Sequence, residues 1–223
     1  MTLSPESGIE SSSSTPNCIK LCIVSHGGSG STMLINFLGS YTQTNQPNSM
    51  HDGLKHCNSP DHPMLARLNP NRYIYCYDDP RVTVLSLFRR RLAEGMQFKL
   101  RHFSDDIVHY RLLAETLKPR VRSLADFFDL GYDCFGINAF WQNWTHGPVG
   151  RPILYVRYSQ IWESLPLILD FAGVDQQYLS KFPKRQVRAS NLSDITEEQF
   201  RILDRIYGQT VAEMSRLPAC YQL

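Results

Sequence analysis

The feature that most constrains this chain is an apolar run that stops on glycines and restarts as a helix. Ile19–Ser25 is short and almost wholly apolar, which reads as a buried strand of a parallel sheet. Ser25-His26-Gly27-Gly28-Ser29-Gly30-Ser31-Thr32 follows. Met33, Leu34, Phe37, Leu38 and Tyr41 then fall on one helical face. Strand, glycine turn and helix in that order direct backbone N–H groups and a helix N-terminus at one point, where an anion is stabilised.

The pattern repeats along the chain. Tyr73–Tyr77 reads as a second strand, and Pro80 suits the first turn of the helix after it. Pro152–Val156 reads as a third strand. A helix over about 164–172 follows, closed by Gly173. Thr196 and Gln199 form a capping box for a last helix whose apolar face is Phe200, Leu203, Tyr207, Val211 and Met214. Residues 42–70 read as a long polar loop, and residues 99–146 as mostly helical, with Phe127, Phe128, Phe140, Trp141 and Trp144 as core. Alternating strands and helices predict an α/β fold, a parallel sheet flanked by helices, with its ligand at the C-terminal ends of the strands.

The chain has 223 residues, enough for one sizeable core. Residues 1–17, rich in Ser, Pro, Thr and Glu, read as a disordered polar tail, and residues 18–223 as one α/β domain. A formal net charge of +2 argues against nucleic acid as a partner. No apolar run is long enough to span a membrane, and the N-terminus has no secretory pattern, so the expected location is cytoplasmic. None of the six cysteines forms a CxxC pair; buried free thiols are expected, and no metal site. Nothing in the sequence fixes the oligomeric state.

The glycine loop is not a Walker A loop. GxxxxGK[ST] would need Gly at position 25 and Lys at position 31, and Ser occupies both. The missing lysine argues against an ATPase, GTPase or kinase. The anion-binding candidates here are Gly27, Gly28, Ser29, Gly30, Ser31 and Thr32.

Three strings in order resemble the sulfotransferases that use 3′-phosphoadenosine 5′-phosphosulfate. His26–Thr32 is similar to that family's PKSGTT-type loop. Tyr75-Cys76-Tyr77-Asp78-Asp79-Pro80-Arg81-Val82-Thr83-Val84-Leu85-Ser86 is similar to its strand followed by RDPRDVAVS. Ile153–Ile161, with Tyr158, and Phe171-Ala172-Gly173-Val174 are similar to its YEDL-like turn and FLGV helix end. The resemblance covers about residues 19–175. It implies a P-loop-type α/β fold and transfer of a sulfuryl group from 3′-phosphoadenosine 5′-phosphosulfate, as co-substrate, to the hydroxyl of a sugar or small metabolite, with no metal.

The resemblance also implies roles. Ser86 would hold the 3′-phosphate. His56, in Leu54-Lys55-His56, would be the base, with His51 and His62 as alternatives in the same loop. Two family cations are replaced: Gly28 stands where the family has Lys or Arg, and Asp78 where it has Arg. Lost attraction and new repulsion at these two places require positive charge from elsewhere. Arg81, Arg89 and Arg90 are candidates at the 3′-phosphate, and His26 at the phosphosulfate. Lys184, Arg185 and Arg188, in a late basic segment, would close over the nucleotide. A nucleotide- or anion-binding protein that kept the fold and lost catalysis is one alternative, and a P-loop kinase without the Walker lysine is another.

Overall fold

The computed structural model describes residues 19–45, 54–99, 121–147, 150–185 and 189–222. Four strands form one sheet in the order β1 (Leu21–Ser25), β2 (Arg72–Tyr77), β3 (Ile153–Arg157), β4 (Cys220–Gln222). The first three are parallel, and β4 runs antiparallel to β3. The fold is thus α/β with a mostly parallel sheet flanked by helices. The helices are α1 (Ser31–Leu38), α2 (Pro63–Leu68), α3 (Pro80–Arg89), α4 (Ala93–Lys99), α5 (Leu124–Leu130), α6 (Ile137–His146), α7 (Leu165–Ala172) and α8 (Glu197–Arg216).

Side chains alternate across the sheet as the pleat requires. Cys22, Val24, Tyr73, Tyr75, Tyr77, Ile153 and Tyr155 enter one core, with residues of α3, α5, α6 and α8. Leu21, Ile23, Ile74, Cys76, Leu154 and Val156 enter the other, with α1 and α7. A strand buried on both faces carries no polar alternation, which is why β1 to β3 read as continuous apolar runs. The aromatic side is dense: the Tyr75 ring stacks on Phe140 and Trp144, and the Trp144 indole N–H donates to the Cys57 carbonyl at 2.9 Å.

A buried polar knot ties α6 to α8. Asp133 accepts from the Phe135, Gly136 and Asn138 N–H groups and from the Tyr207 hydroxyl. Burial pushes its carboxyl above the ordinary range, against the pull of those four bonds.

The region 42–70 departs from the expected long loop. Segment 43–45 lies along the outer edge of β1, where Leu21 N–H donates to the Gln43 carbonyl. The Asn45 amide both accepts from Ile23 N–H and donates to the Ile23 carbonyl, replacing a neighbouring strand. A 3₁₀ turn at residues 54–56 and then α2 follow. The sequence expectation also lacked β4, a three-residue strand with no pattern long enough to detect. Of residues 99–146, the described part holds two helices, α5 and α6, joined by the Asp133 turn. Cys22, Cys57, Cys76 and Cys134 are buried thiols outside any disulfide. Among the described residues no helix is long and apolar enough to cross a membrane.

Candidate functional site

A cavity of about 670 Å³ opens at the C-terminal ends of β1 and β2. Its floor is the glycine turn between β1 and α1, with Gly27, Gly28, Gly30, Ser31 and Thr32 in its lining. Gly27, Gly28 and Gly30 all have positive φ, and at two of them a side chain would also meet a neighbour. Gly27 has φ +97°, and a Cβ there would meet the Met96 methyl at 2.6 Å; Gly30 has φ +80°, and its Cβ would meet Tyr158 and Ile161 below 3 Å. Gly30 is also the N-cap of α1 and brings no capping side chain. The first turn of α1 therefore presents its N–H groups toward the loop.

The loop hydroxyls have different tasks. Ser29 donates to the Cys76 carbonyl at 2.9 Å, pinning the turn to the end of β2. It is fully buried and structural. Ser31 pairs with the Ser25 hydroxyl at 2.8 Å and still lines the cavity. Thr32 lines it too and accepts from the Lys55 ammonium at 3.2 Å.

Lys55 and His56 enter from the 3₁₀ turn and also line the cavity. Lys55 is only 9% exposed, so its charge is directed at the loop rather than at bulk water. His56 is 3% exposed, with Nδ1 3.0 Å from the Ser25 carbonyl. A carbonyl can only accept, so Nδ1 carries a proton.

The opposite wall is the C-terminal half of α3. Ser86, Arg89 and Arg90 occupy positions i, i+3 and i+4 of one helical face, and all three line the cavity. Arg91 adopts φ +56° and ends the helix: its N–H donates to the Phe88 carbonyl, and Leu92 N–H to the Leu87 carbonyl. Chain then returns over the cavity through Leu92 and Met96. Among the described lining residues there are three cations, Lys55, Arg89 and Arg90, and no carboxylate.

Other sequence candidates lie elsewhere. His26 is fully buried, packs edge-on against Phe140, and is not among the lining residues. Arg81 turns back on its own helix cap: it makes ion pairs of 2.8 Å with Asp79 and with Asp204, and lies over the Phe200 ring. Asp78 is buried and outside the lining, so its charge does not face an anion there. Arg185 pairs with Glu163 at 2.7 Å, donates to the Ser159 carbonyl and lies over Trp162. Lys184 is exposed and does not line the cavity. Arg188 and His51 lie outside the described residues. His62 caps α2, accepting from Met64 N–H.

Sequence reasoning passed over Lys55 as a ligand, although it sits beside His56 in the same string. It also had no basis for Ala189 and Ser190. Ala189 lines the cavity, and Ser190 accepts from Arg89 Nε at 2.9 Å.

No protein-family model, curated protein or solved structure matches this chain.

Proposed function

We propose that the protein is a sulfotransferase-like enzyme that moves a sulfuryl group from 3′-phosphoadenosine 5′-phosphosulfate to the hydroxyl of a small-molecule or carbohydrate acceptor in the cytoplasm. The observation that carries this reading is the charge pattern of one cavity: Lys55 at the glycine turn, Arg89 and Arg90 with Ser86 at the facing wall, and no carboxylate among the described lining residues. Two separated groups of donors suit a ligand with two anionic ends, and the co-substrate has such ends in its phosphosulfate and its 3′-phosphate.

The reaction has two requirements, a base and a place for leaving-group charge. His56, oriented by its Nδ1 contact with the Ser25 carbonyl, is the group that takes the acceptor's proton as its oxygen forms the new bond to sulfur. The bond from sulfur to the phosphate oxygen breaks, and its electron pair leaves with 3′-phosphoadenosine 5′-phosphate. Lys55 and the N–H groups at the start of α1 stabilise that charge. Lys55 thus supplies the cation that Gly28 does not, and Arg89 or Arg90 the one that Asp78 does not.

Isothermal titration tests this reading. Binding of 3′-phosphoadenosine 5′-phosphate but not of ATP supports it; binding of neither overturns it. A protein that binds the product nucleotide but transfers no sulfuryl group to any alcohol is the catalytically degenerate alternative, which the two replaced cations favour.

A further inference from the structure

Three arginines differ in what holds them, and of the three only Arg89 lines the cavity. Arg81 is neutralised by Asp79 and Asp204, and Arg185 by Glu163. Arg89 is held by a neutral hydroxyl, Nε donating to Ser190 Oγ at 2.9 Å. Ser190 is itself 6% exposed, so that hydroxyl is a fixed acceptor. Its neighbour Ala189 lines the same cavity.

We propose that Ser190 is a positioning residue that fixes Arg89 for the second phosphate of the co-substrate, and so sets selection for a 3′-phosphorylated nucleotide. This rests on the nucleotide reading above. A guanidinium has five N–H donors in a rigid fork. With Nε–H committed to Ser190, the two terminal nitrogens keep four N–H donors in one plane, the geometry that grips a phosphate through two parallel bonds. A carboxylate in place of Ser190 would hold the side chain equally well and cancel the charge. Arg89 also shares the cavity with Arg90 and Lys55, and mutual repulsion drives an untethered arginine toward solvent. The Ser190 hydroxyl opposes that drift without reducing the field at the site.

The test is titration of the full chain with 3′-phosphoadenosine 5′-phosphate and with AMP, which lacks the 3′-phosphate. Ser190→Ala should weaken the first by about three- to tenfold and leave the second unchanged, with thermal unfolding as in the parent. Ser190→Thr should restore affinity; if its added methyl prevents folding, a double-mutant cycle decides alone. In an Arg89→Ala background, Ser190→Ala should have no further effect. Equal loss for both nucleotides, full additivity in the cycle, or no loss at all overturns the proposal. If the parent binds neither nucleotide, the functional reading falls and this one with it. A parent that binds, with an indifferent Ser190→Ala, removes this inference alone.

Discussion

The Lys55 ammonium lies 3.2 Å from the Thr32 hydroxyl, joining the 3₁₀ turn to the start of α1. Lys55 is largely buried and lines the same cavity as the glycine turn. Lys55→Met keeps most of the stem and removes the charge. It should lower affinity for 3′-phosphoadenosine 5′-phosphate by about ten- to a hundredfold, the range for a hydrogen bond between charged groups. Calorimetric titration gives the number, and an affinity equal to the parent's would remove Lys55 from the site.

Arg81 in the first turn of α3 and Arg90 at its C-cap should behave oppositely. Arg81→Ala breaks two ion pairs and a contact with Phe200, so it should cost about 1–3 kcal/mol of stability and leave nucleotide affinity intact. Arg90→Ala should weaken binding with little change in stability. Urea unfolding and titration on both variants separate the two. Loss of binding in Arg81→Ala at full stability would contradict the assignment.

Arg91 occupies a left-handed conformation at the end of α3 where glycine is usual. Arg91→Gly relieves that strain and should raise unfolding free energy by up to about 1 kcal/mol. Stability that falls instead would show that the Arg91 side chain contributes more than its backbone loses.

Asp133 gives the protein a pH dependence with a definite sign. Burial raises its folded-state pKa above 3.8, so the folded form keeps the proton to higher pH than the unfolded form. Its contribution is complete below the unfolded value and is lost as pH rises through the folded one. In Asp133→Asn that dependence disappears. The stability advantage of the parent over the variant should therefore shrink as pH rises above the ordinary carboxylate range. An advantage that grows with pH would mean that the four hydrogen bonds outweigh burial.

The elements easiest to read in the sequence were those whose signal is local. β1, the glycine turn and α1 declare themselves through an apolar run, three glycines and a 3.6-residue period. The Thr196–Gln199 box at α8 and Gly173 at the end of α7 stand as expected. Segment 43–45 was opaque because its pairing uses the Asn45 side chain, which has no periodicity. The site divided in the same way. Ser86, Arg89 and Arg90 share a helical face, so one correct helix places all three. Arg81 is held by Asp79 two residues away and by Asp204 123 residues away, and only the first pairing is visible in the sequence; Ser190 was missed because its partner Arg89 lies 101 residues away. The distant pairings exist only once the sheet has formed.

Ser29 ties the glycine turn to the Cys76 carbonyl, one residue before the end of the neighbouring strand. The floor of the cavity and the helix that forms its far wall therefore spring from adjacent rungs of one ladder, about 4.8 Å apart. That distance is set by backbone hydrogen bonding and not by any side chain. The sheet thus acts as a ruler for the two backbone segments, the glycine turn and the start of α3: side-chain substitutions can alter what those segments carry, but the spacing of their roots is written into the strand pairing itself.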